Sequence, residues 1–348
     1  MHNKYPQIIT IVTNTPPTKY LQMDLLQMLP SNKAIHDIYN NSNILSRQLA
    51  TLEFFENANT NTNTLSKRFE QYKEIALPLA VNIAKDAICK ANLTNLDIHK
   101  IIFVSSTGIF APFMDVEIIK QLKLPNTIER NNVFFMGCAA AITGIKIAND
   151  YLKSNTDKNV LLIALELSSV HANLQEMDIN NIVTHCIFSD GIAAVVMSSC
   201  KKPTISIIDS FSYLIPDTED GIILSVNEES VSCTLSKNLP TYINKNIKFA
   251  LQTFLNSHNL SLQNIDFWCV HPGGKKIIDS VQEGLELTNE QVTSSREILR
   301  NYGNMLSCST LFVLEKFAKL ETKEEMYCVA FSFSPGVGVE FLLLKKHV

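Results

Sequence analysis

The chain has 348 residues, 46% of them hydrophobic and 18% charged, with 34 acidic against 30 basic side chains, a net charge of −4 and a pI of about 6.1. That composition supplies a large apolar core, enough for two domains or for one unit built from two similar halves. With no long basic run, it argues against nucleic acid or an anionic membrane surface as the main partner.

From the N-terminus, the apolar run 8–12 is too short for a signal-peptide core. No later segment reaches the roughly 18 uncharged apolar residues of a membrane helix, so no membrane insertion is expected. Strands are predicted at 8–13, 100–105, 160–166, 192–197, 204–210, 267–270, 326–333 and 339–344, alternating with helices near 64–91, 139–153, 242–257, 275–284 and 305–320. The order is that of an α/β protein. Pro78 should kink or split the first helix, and the polar tract 57–64 reads as a surface loop. Cys138 and Asn304 each open a helix, and a strand follows near Leu161 and Tyr327; both separations are 166 positions. This points to a duplicated βα unit. Eight scattered cysteines without a CxxC pair fit a cytoplasmic protein lacking disulfides and structural zinc.

Three short segments carry chemistry. In Gly137-Cys138-Ala139-Ala140-Ala141, a thiol stands at a helix start, where the helix dipole lowers its pKa and favours a thiolate nucleophile. His271 follows the apolar run 267–270 and precedes Pro272-Gly273-Gly274, a turn that lets a bulky substrate pass close to the backbone. Asn304, in Tyr302-Gly303-Asn304-Met305, places an amide at a helix start. Taken singly, each has a plainer reading: a core cysteine, a hydrogen-bonded turn histidine, a helix cap.

Together the segments resemble the type III polyketide synthases, the chalcone-synthase-like branch of the thiolase superfamily. GCAAAITG is similar to the family's nucleophile segment, and FSDGIAAVV to the segment that carries its aspartate. FWCVHPGGKKIID is similar to the histidine segment and NYGNMLSCSTLFVLE to the asparagine segment. Ser106-Thr107-Gly108 matches the turn before the family's dimer loop, and Ser332-Phe333-Ser334-Pro335-Gly336 its closing loop, with serines in place of the usual glycines. These blocks run in order from about residue 100 to the C-terminus; the first hundred residues match loosely.

The resemblance implies a homodimer with a thiolase-like fold, two duplicated βαβαβαββ halves packed as a five-layered αβαβα core. Residues 1–200 would carry the nucleophilic cysteine, and 201–348 the histidine and asparagine. Cys138 would take a starter acyl group from an acyl-CoA, with His271 keeping it ionised. His271 and Asn304 would donate hydrogen bonds to the malonyl-CoA thioester and stabilise the enolate left by decarboxylation. Such chemistry needs no cofactor or metal. Phe188 falls at a gatekeeper place, with core packing as its alternative, and Cys233 at the second gatekeeper place. Glu166, Ser168 and His171 fall on the cavity wall. His171 would narrow the starter pocket, join proton transfers or make only a surface hydrogen bond. Thr107, Gly273, Gly274, Pro335 and Gly336 fall in substrate-lining turns. Ala111 falls in the dimer loop, where a residue from each subunit closes the partner's cavity; with Cys233 and with Leu306, after Asn304, it would leave an apolar tunnel for a fatty acyl starter, giving alkyl α-pyrones or alkylresorcinols. The basic cluster that binds CoA phosphates in plant members has no clear counterpart between Asn32 and Arg47.

The competing enzyme reading, an initiating 3-oxoacyl-carrier-protein synthase, lacks HPGG and YGNM in its family segments. A hydroxymethylglutaryl-CoA synthase would need a catalytic glutamate ahead of the cysteine. A non-catalytic acyl-CoA-binding homologue is disfavoured by retention of all three triad residues.

Overall fold

A strand that is apolar at every position, as in Val160-Leu-Leu-Ile-Ala-Leu165, is satisfied only when both of its faces are covered. The computed structural model, which describes residues 5–53, 64–172, 179–201 and 204–348, covers them with helices. Its strands are β1 (Gln7–Asn14), β2 (Lys19–Leu21), β3 (Ser46–Gln48), β4 (Lys100–Ser105), β5 (Glu129–Phe134), β6 (Asn159–Leu167), β7 (Asp190–Ser198), β8 (Ile205–Leu214), β9 (Ile222–Val226), β10 (Val231–Leu235), β11 (Phe267–Val270), β12 (Met326–Ser334) and β13 (Gly338–Lys346). Its α-helices are α1 (Gln22–Gln27), α2 (Lys33–Asn40), α3 (Leu65–Lys90), α4 (Met114–Leu122), α5 (Ala140–Ser154), α6 (Ile179–Ile187), α7 (Leu239–Asn256), α8 (Lys275–Leu285), α9 (Asn289–Tyr302) and α10 (Ser307–Lys319).

The main sheet has the order β11-β12-β13-β8-β1-β7-β6-β4-β5. Its two wings repeat one pattern: β4 runs parallel to β6, which is antiparallel to β7, which is antiparallel to β1; β11, β12, β13 and β8 do the same. The wings meet where β1 pairs with β8 through Gln7–Ser206 and Ile8–Ile205. Helices α5 and α10 start 167 positions apart, as do β6 and β12, close to the spacing read from the sequence. In the second wing, helices α8 and α9 stand where the first has α4 and β5.

Side-chain alternation produces the five layers. On β6, Val160, Leu162 and Ala164 face a central core shared with α5 and α10, whereas Leu161, Ile163 and Leu165 face an outer core with α3. On β12, Cys328 and Ala330 face the same central core, whereas Val329, Phe331 and Phe333 face an outer core with α7, α8 and α9. Two buried helices fit between the wings because their contact residues are small. A Cβ at Gly144 of α5 would lie 2.6 Å from the Leu162 Cδ1.

The eight predicted strands are all present, and α3 differs from expectation. It crosses Pro78 without a break for 26 residues, docked through Ala76, Ala80, Ala84 and Ala87, so tertiary burial overrides the missing N–H. The predicted loop 57–64 lies outside the described residues except for Thr64, whose hydroxyl caps α3 by accepting from the Lys67 N–H at 3.4 Å.

Candidate active site

Beyond β5 the chain turns through two left-handed residues, Phe135 (φ 56°) and Gly137 (φ 55°), then a 3-10 turn, Gly137–Ala139, into α5. Gly137 is needed for its conformation and for space, since a Cβ there would lie 3.3 Å from the Pro335 ring. Cys138 is thereby held, partly exposed, at the N-terminal end of a buried helix. Burial, then the nearby Cys233 and Glu166, push its thiol well above the ordinary range, against a lowering hydrogen bond with Asn304.

His271 continues from β11, fixed by its N–H to the Phe331 carbonyl at 3.1 Å. Its Nδ1 lies 3.2 Å from the Thr310 hydroxyl on α10, and its Nε2 has no hydrogen-bond partner among the described residues. Desolvation alone depresses the imidazole to about 3. Asn304 follows Gly303 (φ 72°), where a Cβ would meet the Arg47 side chain and the Ile187 carbonyl at 3.0 Å. The Asn304 Oδ1 accepts from the Leu306 N–H at 2.9 Å, which orients the amide so that Nδ2 donates to the Gly273 carbonyl at 3.1 Å. Leu306 itself has φ 48°, a costly conformation for a branched residue, at the rim of the site.

These elements frame an apolar chamber lined by Cys138, His271, Asn304, Phe188, Cys233, Gly273 and Leu306, with aliphatic walls that include Ile222, Leu235 and Ile243. A second, more polar chamber adjoins it. Thr107, Ser168 and His171 line the second, while Phe188, Leu224, Cys233 and Leu306 line both and form the partition.

Four readings change. At Cys138 burial works against the helix dipole: it raises the thiol and lowers the His271 imidazole, which favours the neutral form of each. Glu166 does not line either chamber; its carboxylate accepts from the Ser106 N–H (2.9 Å), the Thr107 hydroxyl (2.9 Å) and the Ser307 hydroxyl (2.6 Å), and burial lifts it to about 7. His171 makes no surface contact and has no free nitrogen for proton transfer. The Val231 N–H donates to its Nδ1 at 3.1 Å, which fixes the tautomer in which Nε2–H donates to the Thr107 carbonyl at 2.6 Å, and burial depresses it to about 4. Finally, Gly274, Pro335 and Gly336 line neither chamber: Gly274 caps α8, and Pro335 packs beside Gly137.

Sequence reasoning missed Arg47, buried in a three-residue polar strand where no periodicity marks it. Its guanidinium donates to Gln22 Oε1 (2.9 Å) and to the carbonyls of His185 (2.5 Å) and Phe188 (2.7 Å), pinning the partition from behind. Thr310 was missed too, inside an apolar helix.

A layered α/β core whose two wings bring a cysteine, a histidine and an asparagine to one apolar chamber defines a condensing enzyme of the thiolase-like fold. Residues 9–201 match the N-terminal domain of the chalcone and stilbene synthases, and residues 206–347 the C-terminal domain. The chain belongs to that family, the type III polyketide synthases, and is an acyltransferase. It is 36% identical over 317 residues to the alpha-pyrone synthesis polyketide synthase-like Pks18 of Mycobacterium tuberculosis, covering 88% of this chain and 80% of that one. Polyketide synthase 37 of Dictyostelium discoideum is 32% identical over 337 residues, which are 92% of this chain and 11% of that protein. The crystal structure of PKS-I from the brown alga Ectocarpus siliculosus matches with a TM-score of 0.90 at 38% identity, over 99% of this chain and 98% of that one. The C-terminal type III polyketide synthase domain of Steely1 from Dictyostelium shares the fold, with a TM-score of 0.90 at 24% identity over 99% and 100%.

Proposed function

We propose that this polyketide synthase loads a fatty acyl group from CoA onto Cys138 and extends it with malonyl-CoA, giving alkyl α-pyrones or alkylresorcinols. The observation that carries the reading is the convergence of Cys138, His271 and Asn304 on one aliphatic chamber. As the Cys138 sulfur attacks the acyl thioester, its proton passes to the His271 Nε2 while the Nδ1–H is held by the Thr310 hydroxyl, and CoA leaves as the thiolate. The imidazolium so formed presents Nε2–H as a donor. That donor and the Asn304 amide bind the malonyl thioester oxygen while CO2 leaves, and stabilise the enolate that forms. The enolate carbon attacks the Cys138 thioester, the cysteine sulfur departs, and the lengthened chain returns to it from CoA.

Low polarity suits this chemistry, because donors act more strongly on a developing oxyanion where water is excluded. The aliphatic walls support an alkyl starter, each buried methylene contributing ~0.8 kcal/mol. The name of the Mycobacterium relative, which refers to alpha-pyrone synthesis, supports the same products. The enzyme works as a cytoplasmic homodimer on free CoA thioesters, with no cofactor. Among the described residues no helix is long and apolar enough to cross a membrane. Incubation with malonyl-CoA and acyl-CoAs of six to sixteen carbons tests the reading. A preference for medium or long chains, with alkylpyrone or alkylresorcinol masses, is expected; a preference for an aromatic starter overturns it.

A further inference from the structure

A cleft lies where the end of α7, the connection from α7 to β11 and the turn between α8 and α9 meet, and none of its lining residues lines either chamber of the candidate active site. Its floor is Trp268 on β11 with Leu255, Leu285 and Leu287, all buried. Trp268 is 2% exposed, and its Nε1–H, which can only donate, has no hydrogen-bond partner among the described residues. Buried donors are normally paired, so an indole N–H left open in the wall of a cleft marks a position for an acceptor oxygen. Lys248 and Glu286 are the only charged residues that line the cleft, and they satisfy each other at 2.6 Å.

We propose that this cleft is a second binding site, for an uncharged small molecule that joins an alkyl body to a carbonyl oxygen. The leucines take alkyl surface out of water, and the Trp268 Nε1–H donates to the carbonyl. With Lys248 and Glu286 neutralising each other, no free charge remains to compensate a carboxylate or an ammonium buried here. The position also matters for the rest of the molecule. Trp268 precedes His271 by three residues, and α9, which lines the cleft through Gln291, holds the Val270 carbonyl through the Ser295 hydroxyl at 2.6 Å. An occupant therefore rests on two elements that position His271. The site stands independently of the polyketide chemistry proposed above.

Trp268 is the single tryptophan of the chain, so its fluorescence reports this cleft and neither chamber. Wild type is titrated with δ-decalactone, a neutral lactone with an alkyl tail. Expected is a saturable change in emission, with a dissociation constant below about 1 mM. 2-Pentyltetrahydropyran, the same ring and tail without the carbonyl, and decanoate, which carries a charge, should each bind about fivefold more weakly or worse. Leu262→Glu, which sets a carboxylate in the half-buried wall, should lose the response while keeping the wild-type melting temperature. The ligand series is read in wild type and stands whether or not that variant folds. Absence of a saturable response to the lactone in wild type overturns the site, as does a full response in folded Leu262→Glu. Binding of the cyclic ether or of decanoate as tight as that of the lactone overturns the ligand class.

Discussion

Phe188 and Asn304 are joined by a parallel backbone bridge: the Asn304 N–H donates to the Ile187 carbonyl at 2.8 Å, and the Ser189 N–H donates to the Asn304 carbonyl at 2.9 Å. The residue that partitions the two chambers and the amide that faces Cys138 therefore move as one backbone unit. Arg47 holds that unit from the far side through the Phe188 carbonyl. Between α9 and the bridge stands Gly303.

Gly303→Ala tests this coupling. Its φ of 72° and the 3.0 Å approach to Arg47 and the Ile187 carbonyl leave no place for a methyl group. The variant should lose ~1–3 kcal/mol of stability. It should also lose ~10-fold or more in condensation rate, because a small displacement of Asn304 spoils enolate stabilisation. Chemical denaturation and steady-state assays check both; wild-type turnover would show that the bridge does not position the amide.

Glu166 gives a pH signature. Its carboxyl rises from 4.5 to about 7 on folding, chiefly through burial. Between those values the folded chain holds a proton that the unfolded chain has released, so this group's contribution to stability falls as pH rises through the window. Glu166→Gln removes that dependence. The stability of the variant relative to wild type should improve by ~1–3 kcal/mol between pH 4.5 and 7.5. A difference that stays constant across that range would mean the carboxyl is not buried in this way.

His171 offers a spectroscopic check. Held between the Val231 N–H and the Thr107 carbonyl, and depressed to about 4, it should remain neutral across the working range. Its ring resonances should not shift between pH 8 and about 5, whereas an ordinary histidine titrates near 6.5. His171→Leu leaves both backbone groups unpaired, a loss of ~2–4 kcal/mol for the pair. An inflection near pH 6.5 would return the residue to a role in proton transfer.

How far the sequence was legible depended on what surrounds each segment. The limits of β4 and β11 were read without error because both are short apolar runs between polar or glycine-rich neighbours. β5, Glu-Arg-Asn-Asn-Val-Phe, gave no alternation to read, since it is a largely exposed edge strand. Helix α9 carries the Thr288–Gln291 capping box, a signal present in the sequence but not used. Cys138, His271 and Asn304 were found because short motifs place them at element ends. The dipole at a helix start is visible in sequence, whereas the desolvation that works against it at Cys138 and His271 is created by residues hundreds of positions apart. Arg47 escaped for the same reason: its partners, Gln22, His185 and Phe188, are assembled only by the fold.

The most direct test of the account is where the acyl group goes. Cys138 and Cys233 line the same chamber, so proximity to substrate does not distinguish them. Wild type and Cys138→Ala should be incubated with decanoyl-CoA in the absence of malonyl-CoA, then examined by intact-protein and peptide mass spectrometry. One decanoyl group on Cys138, absent from the variant together with all elongation, is the predicted result. Acylation at Cys233, or elongation that survives in Cys138→Ala, would contradict it.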